Sequence, residues 1–119
     1  MYQEIKLSVI IPAYNPGKKI IPCLIALGNN LKYFSKSCKL IYEVLIINDA
    51  GDEININFDH NIQNIQSFRI RKNRGVGYAR QLGTRISKFN YIFYLDSDVV
   101  LENENSIKIL FEEFKNLKN

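Results

Sequence analysis

The chain has 119 residues, 46% of them apolar and 24% charged, with seven Tyr and seven Phe, the make-up of one globular domain and not of a disordered, collagenous or coiled-coil chain. At this length roughly two-thirds of the unfolded surface can leave water, enough for one core but not for two lobes each holding half a site. The net charge of +4 is concentrated in Arg69, Arg71, Lys72, Arg74, Arg80, Arg85 and Lys88, so an anionic ligand is expected against that segment.

No apolar stretch approaches the ~18 residues of a membrane span, and Met1-Tyr-Gln-Glu-Ile-Lys is not a targeting start; the chain reads as cytoplasmic. Leu7 to Pro12 is short, β-branched and almost continuously apolar, as in a strand buried on both faces of a parallel sheet, with Pro12 ending it. Past the turn Tyr14-Asn15-Pro16-Gly17, Ile20, Leu24, Leu27, Leu31 and Phe34 step by four and three, one face of a helix. In that register Lys18, Lys19, Asn29, Asn30 and Lys32 face water. Cys23 reads as a small core residue and Cys38 as a polar helix-end residue; their spacing, with His60 as the single histidine, builds no metal site. Tyr42 to Ile47 is a second buried strand, stopped by the turn formers Asn48-Asp49-Ala50-Gly51-Asp52.

Glu53 to Gln66 mixes strand and helix periods and predicts no single element. A third strand is expected over Ser67 to Arg71, a helix over Val76 to Lys88 entered through Asn73-Arg74-Gly75, and a fourth strand over Tyr91 to Leu95. Ile107, Leu110, Phe111 and Phe114 mark a closing amphipathic helix. Strand alternates with helix and no hairpin signal intervenes, so the predicted fold is α/β, an open, mostly parallel, Rossmann-like sheet with flanking helices. Ligands of such sheets bind beyond the carboxyl ends of the strands. Three unusual loops fall there: Pro12 to Pro16, Asn48 to Asp52 and Asp96 to Asp98.

Asp96 and Asp98, one residue apart after an apolar strand, suit a hard cation such as Mn2+ or Mg2+, which takes oxygen ligands and commonly completes its shell with water and substrate phosphates. Taken alone, Asp-Ser-Asp reads first as a solvated turn, since the pattern is short and common. Asp49, an acceptor only, suits an N–H on the Watson–Crick edge of uracil, thymine or guanine, where cytosine presents a lone pair; its structural alternative is an Asx turn or helix cap. The glycines of Asn73-Arg74-Gly75-Val76-Gly77 permit close approach to a ligand, and a diphosphate at that helix start would meet backbone N–H groups and Arg80.

Together, Ser8-Val-Ile-Ile-Pro-Ala-Tyr-Asn15, Glu43-Val-Leu-Ile-Ile-Asn-Asp-Ala-Gly51, Asn73-x-Gly75-x-x-x-Ala79-Arg80-x-x-Gly83 and Tyr91-Ile-Phe-Tyr-Leu-Asp-Ser-Asp98 resemble, in order and spacing, the amino-terminal half of glycosyltransferase family 2, enzymes of the GT-A fold. The resemblance runs from Ser8 to about Leu101. It implies that Pro12, Ala13 and Tyr14 line the nucleoside pocket, that Asn48 and Asp49 hold ribose and base, that Arg80 lies near the diphosphate, and that Asp96 and Asp98 bracket sugar and metal. The implied donor is a nucleotide-diphosphate sugar, UDP favoured, the acceptor a glycan or lipid-linked molecule, and the cofactor Mn2+ or Mg2+, with a place at the inner membrane face for the full-length protein.

Asn48 stands where the family pattern has the first of two aspartates, Ala50-Gly51 replaces the common Gly-Ser, and Val99 takes the place of a further acid. By the same resemblance, residues 1–119 form a single nucleotide-sugar-binding domain, the acceptor half and general base are expected beyond Asn119, and self-association is expected through Ile107, Leu110, Phe111 and Phe114. Two other classes share fragments of the pattern. Asp96-Ser-Asp-Val-Val100 fits the nucleophile motif of haloacid dehalogenase-type phosphatases, but that motif opens its fold. Arg74-Gly-Val-Gly-Tyr78 imitates an RNA-recognition motif, yet Val76 replaces an aromatic platform and the partner motif is missing, so no nucleic-acid partner is expected.

Overall fold

In the computed structural model, which describes residues 3–117, a four-stranded sheet has the order β3-β2-β1-β4 and every pairing is parallel. Chain order is β1 (Glu4–Ala13), a 3-10 turn (Gly17–Lys19), α1 (Ile20–Phe34), β2 (Lys39–Asn48), β3 (Ile65–Arg69), α2 (Val76–Ile86), β4 (Tyr91–Tyr94) and α3 (Ser106–Leu117). The predicted α/β class and parallel sheet are both present. No helix among the described residues is long and apolar enough to cross a membrane.

Period two sorts the central strands between two cores. Ile5, Leu7, Val9, Ile11 and Ala13 of β1 join Val44 and Ile46 of β2 in the larger core under α1, while Ile10, Leu45 and Ile47 face α2 through Ala79. Both β1 and β2 outrun their apolar stretches, pairing from Glu4 with Lys39 to Ala13 with Asn48. Pro12 does not end β1. The Ile10 carbonyl accepts from Leu95 on the β4 side and the Ala13 carbonyl accepts from Asp49 on the β2 side. By alternation the missing N–H of Pro12 falls on the β4 side, past the last ladder pair, Ile10 with Tyr94, where no donor is required.

Three other boundaries move. β3 sits two residues earlier than predicted because its register is set by Val44 to Asn48. β4 closes at Tyr94, and α2 closes at Ile86 because Ser87 is extended and the Lys88 N–H bonds to the carboxylate of Glu43. Glu43 is itself buried and also accepts from the Ser8 hydroxyl at 2.6 Å, joining β1, β2 and the end of α2.

Asn30 does not face water. It is buried, its amide donating to the carbonyls of Ala26 and Asn103 and its oxygen accepting from the Ile107 N–H at 3.0 Å. It thereby caps the first turn of α3 from a neighbouring helix. Helical periodicity assigns Asn30 to the outside because it cannot see that α3 packs beside α1. Cys38 is likewise a core residue, its thiol donating to the Phe34 carbonyl, and burial raises its pKa. Of the apolar positions of α3, Ile107 is in the core, whereas Leu110 and Phe114 are about half exposed, beside an apolar cleft of about 430 Å³ along β4.

Residues 53–64 form no regular element and cross α1, with Ile54 and Ile62 in its core. His60 braces this stretch: Nδ1 accepts from the Ile62 N–H and the opposite ring nitrogen donates to the Ile56 carbonyl. A Cβ on Gly28 would fall inside contact distance of the His60 carbonyl oxygen. Alanine is favoured over glycine in a helix by ~1 kcal/mol, yet the backbone clash decides the sign here. Gly28→Ala should destabilise the protein by about 1–3 kcal/mol, read as a lower urea midpoint, and an unchanged or higher midpoint would show that 53–64 does not rest on α1.

Candidate functional site

Four segments meet at the carboxyl edge of the sheet: the turn after β1, the loop after β2, the entry to α2 and the turn after β4. The loop after β2 is closed by its own side chains. Asn48 accepts from the Gly51 N–H and donates to the Asp52 carbonyl, and Ala50 takes a left-handed φ of 63°. Asn15 reaches across from the first turn to accept from the Asp52 N–H at 2.7 Å. Arg69 donates to the carbonyls of Gly51 and Ala50 from β3. One of the clustered arginines is therefore committed to backbone.

Asp49 is buried, and its two carboxylate oxygens accept the N–H groups of Arg74 and Gly75, each at 2.8 Å. This fixes the entry to α2. Gly75 caps that helix at φ 90°, and none of its own first-turn residues is acidic, so beyond the two N–H groups held by Asp49 the N–H groups of the first turn are open to a ligand. Arg80, just beyond, donates from Nη2 to Asp96 at 2.9 Å, a pair half exposed on both sides. Its Nε is buried without a hydrogen-bond partner among the described residues.

Asp96 opens the turn that carries Asp98. Its carbonyl accepts from the Val99 N–H and from the thiol of Cys23 beneath. Burial, reinforced by the carboxylates of Asp98 and Asp96, pushes the Cys23 thiol up to about 11, so it stays protonated and serves as a donor under the turn. Among the described residues no group of three or more His, Cys, Asp or Glu could hold a metal. A cation here would have two carboxylates from this chain and complete its shell with water or phosphate oxygens.

Pro12, Tyr14, Arg80, Asp96 and Asp98 come together around an open cleft of about 440 Å³, joined by Asn15, Pro16, Lys19, Val76 and Ser97. Ala13, Asn48 and Asp49 stand behind it: Ala13 is in the core, holding the Asp49 N–H, and the two others brace loops. Lys19 is exposed, as its helical register predicts, but that register does not show that it lines the cleft. A signal for that was there, since cations at a helix start oppose the dipole, and Lys18 and Lys19 end the 3-10 turn that leads into α1. Two cations and two carboxylates thus face one cleft, an arrangement that can take a diphosphate together with a divalent cation.

The family model for Glycosyl transferase family 2 matches residues 8–119. An uncharacterised glycosyltransferase of Rickettsia bellii (strain RML369-C) is 34% identical over 118 residues, 96% of this chain and 16% of the relative. The poly(ribitol-phosphate) beta-N-acetylglucosaminyltransferase TarP of Staphylococcus aureus (strain N315) is 32% identical over 112 residues, 89% of this chain and 32% of TarP. The chain thus spans about a third or less of the length of these relatives. Among solved structures, S. aureus TarS 1-349 superposes with a TM-score of 0.73 at 22% identity over 94% of this chain and 33% of that one. The same TarS piece in complex with UDP-GlcNAc gives 0.72 at 20% identity, over 94% of this chain and 32% of that one. These likenesses establish a GT-A fold.

The loop geometry shows what one departure from the family pattern costs. Ala50 occupies, at φ 63°, the position where the pattern has glycine, and a left-handed conformation costs a non-glycine residue about 1–2 kcal/mol. Ala50→Gly should raise stability by about 1 kcal/mol, seen as a higher melting temperature; a lower one would show that the loop does not hold this conformation in solution.

Proposed function

The chain belongs to glycosyl transferase family 2, and on that premise we propose that it binds a nucleotide-diphosphate sugar, a UDP-sugar, for transfer of the sugar to a glycan or lipid-linked acceptor. The observation that carries this reading is the convergence of Arg80, Lys19 and the open first turn of α2 on the two carboxylates of Asp96 and Asp98. A structure of TarS with UDP-GlcNAc and the N-acetylglucosaminyltransferase activity of TarP support the choice of donor.

In this reading the diphosphate lies between Lys19, Arg80 and the first turn of α2, where fixed positive charge favours it over the monophosphate or free nucleoside. Asp98, exposed and without a hydrogen bond or ion pair among the described residues, is the principal ligand for Mn2+ or Mg2+, and Asp96 offers the oxygen that Arg80 leaves open. A divalent cation there would neutralise charge on the departing diphosphate. Tyr14 and Pro12 wall the nucleoside end. Asp49 and Asn48 shape the loops around it, and each Asp49 oxygen, already accepting one backbone N–H, has a second lone pair with which to accept an N–H of the base. Transfer requires the acceptor hydroxyl to attack the anomeric carbon while the bond to the diphosphate breaks and a base removes the hydroxyl proton. Asp49, Asp96 and Asp98 are all committed elsewhere in this scheme.

The same proposal places the protein in the cytoplasm, with a peripheral position at the inner membrane face, and assigns any self-association to Leu110 and Phe111 beside the cleft along β4, rather than to the buried Ile107. Titration calorimetry with UDP and CDP, in Mn2+ and in EDTA, tests the donor site. UDP should bind more tightly in Mn2+, and Asp98→Ala should remove that gain, about 10–100-fold, with the melting temperature unchanged because the side chain is exposed. Equal UDP affinity in EDTA and Mn2+ would remove the metal from the scheme. CDP binding as tightly as UDP would remove base recognition by Asp49.

A further inference from the structure

From His60 through Leu95 the chain contains seven arginines and lysines and no aspartate or glutamate. The fold gathers most of that charge on one side. Ala79 and Leu82 turn inward from α2 onto Ile10, Leu45 and Ile47, so the opposite stripe, Tyr78, Gln81 and Arg85, is exposed at the three- and four-residue spacing of one helix face. Arg74 extends the stripe backwards, its guanidinium 5.2 Å above the Tyr78 ring, and Lys88 extends it forwards. Arg71 and Lys72, in the loop between β3 and α2, are exposed beside it. Apolar side chains are interleaved: Tyr78 is 41% and Ile86 40% exposed, and Phe68, which pairs in register with Ile47 and so shares this sheet face, is 39% exposed. The acids that touch this element are engaged elsewhere: Glu43 is buried with its carboxylate on Ser8 and the Lys88 N–H, Asp49 is buried on the N–H groups of Arg74 and Gly75, and Asp96 pairs with Arg80 at the cleft.

We propose that the outer face of α2 and the adjoining loop dock on the anionic surface of a phospholipid bilayer. Five exposed cations, Arg71, Lys72, Arg74, Arg85 and Lys88, give the long-range attraction, Arg69 being held on loop carbonyls and Arg80 on Asp96, and each lysine or arginine near such a surface contributes independently. The exposed Tyr78, Ile86 and Phe68 decide between a bilayer and a soluble polyanion, because side chains of this kind gain by entering the headgroup boundary and gain little from a hydrated phosphate chain. The inner side of α2 is held by the core, so the helix cannot bury itself, and contact is confined to side-chain depth. Because Val76, in the first turn of the same helix, lines the donor cleft, docking sets that cleft beside the membrane. Only this last consequence, access to a lipid-linked acceptor, rests on the donor reading; the docking itself does not.

Co-sedimentation with vesicles of phosphatidylcholine alone, and of phosphatidylcholine with phosphatidylglycerol, tests it at low and high salt. The chain should sediment with the anionic vesicles and stay in solution with the neutral ones. Arg71→Gln, Arg85→Gln and Lys88→Gln combined, all exposed and outside the cleft, should weaken partitioning by about 10²-fold. Tyr78→Ser with Ile86→Ser should remove the part of the binding that survives high salt. Thermal unfolding of each variant checks the fold, and UDP titration on the same samples reports the donor site separately. Equal partitioning to both vesicle types, no partitioning to either, or wild-type partitioning by the triple variant would overturn the proposal. So would full displacement by polyphosphate with the Tyr78 and Ile86 substitutions silent, which would assign the face to a soluble polyanion.

Discussion

The parallel pairing of β1 with β2, residue for residue from Glu4 and Lys39 to Ala13 and Asn48, is the constraint on which the remaining structure depends. Two strands that run the same way and stop at the same level put their exit loops side by side, and the Asp49 N–H on the Ala13 carbonyl seals that edge. Parallel strands also need long crossovers and cover on both faces. Here α1 with residues 53–64 covers one face and α2 the other, which fixes where each helix begins relative to the edge. The polar residues that interrupt the apolar strands obey the same register. Ser8 pairs with Glu43, and the hydroxyl satisfies the carboxylate at 2.6 Å, so the sheet carries a buried acid without leaving it unpartnered.

At the carboxyl edge, Asp49 converts strand geometry into site geometry. A buried carboxylate holding two backbone N–H groups is a charge-assisted contact, and its loss would leave amides and the α2 entry unsatisfied at about 1–3 kcal/mol. Its placement also spends part of the helix's positive end. The N–H groups of Arg74 and Gly75 are taken by Asp49, which leaves the first turn proper, from Val76 onward, to attract an anion. That attraction is supplemented by side chains, and Arg80 and Lys19 are the two cations the fold brings to the cleft. The other basic residues of the cluster divide between backbone clamping, as at Arg69, and the solvent face of α2.

What was legible in the sequence follows from which interactions are local. The β-branched runs at Leu7 to Pro12 and Tyr42 to Ile47, and the three-four spacing of α1, report burial that each segment carries in its own pattern, and these located the strands, the helix and the edge on which Asp49, Asp96 and Asp98 sit. Asn30 and Cys38 were misassigned because their burial is conferred by α3 and by the chain entering β2, neighbours that a helical period does not encode. Residues 53–64 were unassigned for a related reason: Ile54 and Ile62 are anchored singly, and polar groups such as His60 satisfy the backbone in place of a ladder. Asp49 showed its chemistry but not its partners. An acceptor after a strand was readable as a ligand contact or a brace, and only the return of the chain at Asn73 to Gly75 reveals the brace.

The ion pair between Arg80 and Asp96 has a different character from the buried contacts around it. Both side chains are about half exposed, 41% and 52%, so water and salt screen the pair and it is worth at most about 1 kcal/mol to the fold. A buried pair broken by removing one partner would cost about 3–5 kcal/mol and would resist any rearrangement. The exposed pair therefore orients Arg80 and Asp96 toward each other without fixing them. In the proposed donor reading, phosphate oxygens entering the cleft would compete for the guanidinium on nearly even terms, and the carboxylate they displaced would be released beside Asp98, where a cation would have most use for it. The rigid part of the site, Asp49 with the α2 entry and Cys23 under the Asp96 carbonyl, lies one layer below. The charges that would meet a ligand are set on that layer but are not locked to it, which is the distribution of stiffness that binding of a highly charged molecule requires.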